Sequence, residues 1–171
     1  MSEYRYLIDS NIFIEAHRRY YAFNLCPGFW QSLVWLHGQD RVISLDRVKN
    51  ELSDEGDSLD EWAKNTMPAS GFAPSNDPIV VEWFGKIQIW AQNHSQFTDA
   101  AKEEFAQVAD AWLIAYARAH GLILVTHEQF KPGVKKRIPI PNVCNQFDVP
   151  CANTFEMLTS LDVKYHWETP A

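Results

Sequence analysis

Four carboxylates occupy positions where an acid does little for packing and could do chemistry. Asp9 closes an apolar run at residues 4–8, and Glu51 lies in a helical pattern that follows a second short apolar run. Asp110 interrupts the apolar stripe of the longest helical pattern, and Glu128 follows the apolar run at 122–126. Hard divalent cations take carboxylate oxygens and keep some of their waters. Carboxylates gathered from distant parts of a chain repel one another unless a cation compensates. The set therefore reads as a candidate Mg²⁺ or Mn²⁺ site for one or two ions. Plainer readings stand beside this one. Asp9 could cap the helix behind it, Glu51 could be a solvated surface acid, and Glu128 could be an ordinary loop residue. Asp110 is the most telling, because its helical neighbours are Ala106, Gln107, Leu113 and Ile114 and none is a cation.

The elements that must position these acids follow from hydrophobic period and punctuation. Residues 4–8 read as a buried strand, and Asp9-Ser10-Asn11 hands over to a helix beginning with Ile12 and Phe13. A helix is predicted over 27–37, with Pro27 in its first turn and Gly38 at its end. A strand is predicted at 41–44 and a helix over 46–55, closed by Gly56 and carrying Val48 and Leu52 on one face. Helices are expected over 59–67 and from Asp77-Pro78 onward, with a loop over 68–76 between them. The latter helix has the stripe Val80, Trp83, Phe84, Ile87 and Trp90. One long helix, capped by Thr98 or Asp99, is expected to run to Gly121. Residues 122–126 form an apolar strand expected to be buried on both faces. A basic loop spans 131–137, Val143 marks one end of a last short strand, and 154–161 form a closing helix. Strands alternating with helices predict a three-layer α/β/α sandwich around a mainly parallel sheet. Ligands in such sheets bind at the carboxyl ends of the strands, where Asp9 and Glu128 fall.

A chain of 171 residues suits one domain, and no linker or repeat divides it. No run is long and apolar enough for a membrane span. The start Met1-Ser2-Glu3-Tyr4-Arg5 shows no basic region followed by an apolar stretch, so no signal peptide is expected. The three cysteines, Cys26, Cys144 and Cys151, form no close pair in sequence, which argues against a disulfide framework or structural zinc and fits a cytoplasmic setting. Seven tryptophans exceed what one small core needs, so some should face a partner. The formal charge of −7 argues against wrapping a long nucleic acid by bulk electrostatics. Two divalent ions would bring it to about −3 and would themselves face a phosphate. Lys131, Lys135, Lys136 and Arg137 place four cations in seven residues just after Glu128, either as a hold on a nucleic-acid backbone or as a solvated loop.

The order and setting of the acids resemble the PIN-domain nucleases, a family that includes the toxins of many bacterial toxin–antitoxin pairs. The resemblance rests on Tyr6-Leu7-Ile8-Asp9-Ser10-Asn11, on Glu51 in Asp46-Arg47-Val48-Lys49-Asn50-Glu51-Leu52, on the run from Ala109-Asp110-Ala111 to Ala117, and on Leu124-Val125-Thr126-His127-Glu128. It spans residues 4–155, with extra helices over about 56–97. At the fourth site the family more often has Asp, so Glu128 is one methylene longer than the pattern. The resemblance implies Mg²⁺- or Mn²⁺-dependent hydrolysis of RNA phosphodiesters. It implies Asp9 as central ligand, Asp110 and Glu128 completing the shell, and Glu51 holding a water or accepting a proton. Ser10, Asn11 and Thr126 would orient the carboxylates, or would simply cap helix and strand. An antitoxin protein is an implied partner, and a homodimer is compatible with it.

Three other readings compete. A haloacid-dehalogenase-type phosphatase also opens with a strand and an Asp-x-Asp, but its second acid is Asn11 here. A zinc protease fails because His127-Glu128 is followed by Lys131 where a second His is needed. A catalytically inactive PIN-like binding module is the third, and the retention of all four acids speaks against it.

Overall fold

The computed structural model describes residues 5–54 and 56–171, so the strand start at Tyr4 and the helix end at Glu55 lie outside the described residues. Five strands form one parallel sheet in the order β3-β2-β1-β4-β5. They are β1 (Tyr6–Ile8), β2 (Val42–Leu45), β3 (Phe72–Ala73), β4 (Ile123–Val125) and β5 (Cys151–Ala152). Helices pack on both faces, giving a three-layer α/β/α sandwich. All three residues of β1 are buried, as a central strand covered on both sides must be. Tyr6 pairs with Val42 on one side and Ile123 on the other. In β4, Leu124 and Val125 are buried and Ile123 is half-buried, so that strand is covered less completely than expected.

Strand order reverses at β1, with β2 and β3 to one side and β4 and β5 to the other. The crevice that such a reversal opens at the carboxyl ends of the strands lies between β1 and β4. Asp9 directly follows β1, and Thr126, His127 and Glu128 directly follow β4. The fold therefore delivers two of the four acids to one place.

Helix α1 (Ser10–Glu15) passes into a π-helical turn, Ala16–Tyr20, closed by the Tyr21 amide on the Ala16 carbonyl at 2.8 Å. Helix α2 (Pro27–Gly38) starts at its proline, and α3 (Asp46–Ser53) buries Val48 and Leu52. Helix α4 (Ser58–Asn65) is capped by the Asp57 carboxylate, which accepts from Leu59 and Asp60. Helix α5 (Pro78–Asn93) starts as its Asp-Pro signal indicates, with Asp77 accepting from Ile79. No helix among the described residues is long and apolar enough to cross a membrane.

Three sequence expectations are corrected. The long helix to Gly121 is two helices, α6 (Asp99–Gln107), capped by Thr98, and α7 (Asp110–His120). Val108 adopts an extended backbone (φ −86°, ψ 169°) between them, and the orphaned Ala109 amide donates to Glu51 Oε1 at 3.1 Å. A tertiary acceptor thus takes over where the helical ladder stops. Val143 belongs to helix α8 (Ile140–Gln146), which carries Pro141 in its first turn, and the last strand is β5 instead. The loop expected over 68–76 contains β3, an edge strand too short to show a period. The closing helix α9 (Thr154–Ser160) carries a reciprocal cap, Asn153 with Glu156.

Candidate active site

Asp9 is fully buried, and hydroxyls face both of its oxygens. Ser10 Oγ donates to Oδ1 and Thr126 Oγ1 to Oδ2, each at 3.3 Å. Thr126 Oγ1 in turn accepts the Glu128 amide at 3.1 Å, which ties the acid after β1 to the loop after β4. The Asn11 side chain is exposed and lines the neighbouring cavity. Asp9 stands in the capping position of α1 yet makes no side-chain cap, so its carboxylate is turned to other use.

Asp110 is the first residue of α7, where the helix dipole favours a negative charge. It therefore begins a helix and does not interrupt one. Burial is the main cause that raises the Asp9 carboxyl from 3.8 to about 7, with Glu128 and Glu51 adding repulsion. Burial likewise raises Asp110 well above the ordinary carboxylate range, and Asp9, Glu128 and Glu51 add to it. Asp9 and Asp110 thus both feel Glu51 and Glu128 across the same space. Among the described residues, neither Asp9 nor Asp110 forms an ion pair, and Arg137 only moderates Asp110 from a distance.

The other two acids are tied down. Glu51 Oε1 accepts the Ala109 amide, so the same contact that breaks the α6–α7 helix points Glu51 toward Asp110. Glu128 Oε2 accepts the Ile140 amide at 2.8 Å, and Oε1 pairs with Arg137. Glu128 thus anchors the start of α8 and the end of the basic loop. That loop is built rather than slack. Asn142 bonds both the amide and the carbonyl of Lys131, at 3.0 and 2.8 Å. Gln96 donates to the carbonyls of Pro132 and Val134, and the Thr98 amide to that of Lys135. The side chains of Lys131, Lys135 and Lys136 are exposed.

Glu51, Asp110 and Arg137 line one open cavity of about 330 Å³, beside Ser10 and Asn11. Asp54 and Glu104, which sequence reasoning passed over, line it as well. Both are exposed acids, Asp54 in the turn that ends α3 and Glu104 on α6, and nothing local distinguishes them from solvated ones. The donor set is all oxygen and carries surplus negative charge, which suits a hard divalent cation. Among the described residues, no group of three His, Cys, Asp or Glu side chains is arranged so that it could hold a metal ion. The fit to an ion thus rests on charge and donor chemistry alone.

The chain belongs to the family described as "Domain of unknown function (DUF4411)", whose model matches residues 6–165. No curated protein matches the sequence. Among solved structures, FitAcB from Neisseria gonorrhoeae is similar, with a TM-score of 0.52 and 18% identity over 88% of this chain and 98% of that one. VapBC2 from Rickettsia felis, bound to a DNA fragment from their promoter, gives a TM-score of 0.51 and 11% identity over 86% of this chain and 97% of that one. At such identities the likeness is one of fold.

Proposed function

We propose that this protein is a PIN-type endoribonuclease that hydrolyses RNA phosphodiesters with Mg²⁺ or Mn²⁺. The observation that carries the reading is Asp9, a fully buried carboxylate raised to about 7 at a strand-order reversal, repelled by Glu128 and Glu51 and itself repelling Asp110, with no counter-cation bonded to it among the described residues. A protein keeps such a cost where a ligand removes it.

Asp9 and Asp110 would hold the ion, and Glu51 would hold one of its waters or accept a proton. When bound, a divalent ion lowers the pKa of water and neutralises charge that develops on phosphorus oxygens. The chain's own part is positioning. Ser10 and Thr126 fix the Asp9 carboxylate, and the Ala109 amide fixes Glu51. Glu128 adds charge while it holds Arg137 at the cleft wall, where a guanidinium can meet a phosphate. Lys131, Lys135 and Lys136 would follow the backbone beyond. The fold likeness to FitAcB and VapBC2 supports a partner protein of the antitoxin kind, with this chain as the toxin; a homodimer is compatible with that reading.

The test is cleavage of single-stranded RNA by the pure protein. Activity should need Mg²⁺ or Mn²⁺ and stop with EDTA. Asp9→Asn should lose more than the roughly 10- to 100-fold that removing a group behind a metal ligand costs, while staying folded. Activity that survives exhaustive chelation, or a fully active Asp9→Asn, overturns the reading.

A further inference from the structure

The acidic cavity does not end at Arg137. That side chain also lines a second cavity, of about 250 Å³, with Lys131, His127 and Glu128. His127, Glu128 and Gln129 then form the shared wall with a third, of about 270 Å³, which reaches Phe130, Cys151 and Phe155. Along this run the chemistry changes in order, from carboxylates to cations to aromatic rings. A nucleotide offers the same kinds of group, a phosphodiester to be cut, a neighbouring phosphate and a base.

The third cavity has an aromatic floor held in place. Tyr20 Oη lies 2.5 Å from His127 Nε2, and Thr154 Oγ1 lies 3.1 Å from the same nitrogen. The Tyr20 and His127 rings meet edge to face at 5.9 Å between centroids. Phe155 leans on both, at 5.6 Å from Tyr20 and 6.1 Å from His127, yet stays 50% exposed. Phe130 is 52% exposed and lines the same cavity. Two half-exposed phenylalanines at one hollow are costly in water unless something flat covers them. The exposed Gln129 amide stands at the wall to serve a polar edge.

Bulk charge gives the second argument. At −7 the protein cannot hold RNA by long-range attraction alone, and the acids of the cleft oppose it. Stacking is indifferent to that charge and accepts any base. We infer that the cavity lined by Phe155, Phe130 and His127 is a nucleobase-stacking subsite, which holds an unpaired base of the strand whose phosphodiester lies at the acidic cleft. The inference rests on the nuclease reading and adds to it a preference for single strands, because a paired base cannot leave its stack to enter.

The experiment is binding of a short fluorescein-labelled oligouridylate, followed by anisotropy in the Asp9→Asn background, which stops cleavage and removes one negative charge. Adding Phe155→Ala should raise Kd roughly 5- to 150-fold. Phe155→Trp should bind as tightly as phenylalanine or tighter. A strand of the same length with abasic riboses should not distinguish the three. The salt slope should not change, since stacking releases no counterions. Unchanged binding by Phe155→Ala, or an equal loss on the abasic strand, overturns the subsite. Metal-dependent cleavage by the wild-type chain decides the nuclease reading separately, so the two can fail apart. A protein that neither cleaves nor binds either strand overturns both.

Discussion

Asp9 and Asp60 are both buried carboxylates, and the fold treats them in opposite ways. Asp60, in α4, sits one turn before Lys64, whose ammonium lies 2.7 Å from Oδ2. That hydrogen bond, with the charge behind it, holds the Asp60 carboxyl below its ordinary value. Among the described residues, Asp9 has two hydroxyls and no cation beside it, and it stands at about 7. Asp110 departs in the same direction as Asp9. Asp9 is the more deeply enclosed of the two, and burial is the main cause of its raised value, but depth alone does not mark a site. The mark is an acid whose missing counter-charge is left for something outside the chain to supply.

The contrast breaks most visibly in stability. Asp110→Asn removes repulsion from the cleft and should raise the melting temperature of the metal-free protein at pH 7.5, by an amount worth roughly 0.5–2 kcal/mol. Asp60→Asn removes one end of an ion pair and should lower it. Thermal unfolding of both variants in EDTA checks the pair. Shifts of the same sign would erase the distinction drawn between the two regions.

Dependence on pH sharpens it further. The folded chain holds the Asp9 proton more tightly than the unfolded chain does, so the unfolded state loses that proton first as pH rises. Metal-free stability attributable to Asp9 should therefore fall between the unfolded value near 3.8 and the folded value near 7, then level off. Asp60 works the other way. Its contribution is present above the ordinary carboxylate range and is lost as pH falls through its lowered folded value. Urea unfolding across that range should show the fall in wild type and a flatter profile in Asp9→Asn. A flat wild-type profile would say that Asp9 is not strained.

The smallest expected effect lies at the basic loop. Charge reversal at Lys135 and Lys136 should lower the salt slope of RNA binding by about 0.7 for each phosphate that the loop no longer neutralises. An unchanged slope would leave those lysines as plain surface.

What could be read beforehand divides along the same physical line. Asp9 was legible because an apolar strand ends on Asp-Ser-Asn, a local signal. Asp110 was legible as an acid among apolar neighbours, but the helix break before it was not. Val108 and Ala109 are no helix breakers, and the break is held by Glu51 from 58 positions away. Strands β3 and β5 have two residues each, too few for any period to show. Pro150 ahead of β5 reads as a loop, although its carbonyl accepts the Leu124 amide. The pairing of Glu128 with Arg137 was hidden because loop 131–137 could be read only as a run of cations. So was the ring cluster of Tyr20, His127 and Phe155, which draws on three separate segments.

The most direct measurement is thermal unfolding of wild type and Asp9→Asn, each in EDTA and in millimolar Mn²⁺. An ion that binds the folded state alone stabilises it in proportion to the logarithm of its concentration over Kd. Wild type should melt clearly higher with Mn²⁺, and Asp9→Asn should melt as high as wild type or higher in EDTA and gain little from the metal. Equal gains from Mn²⁺ in both proteins, or no gain in wild type, would contradict the claim that this acid is kept unpaired for a cation.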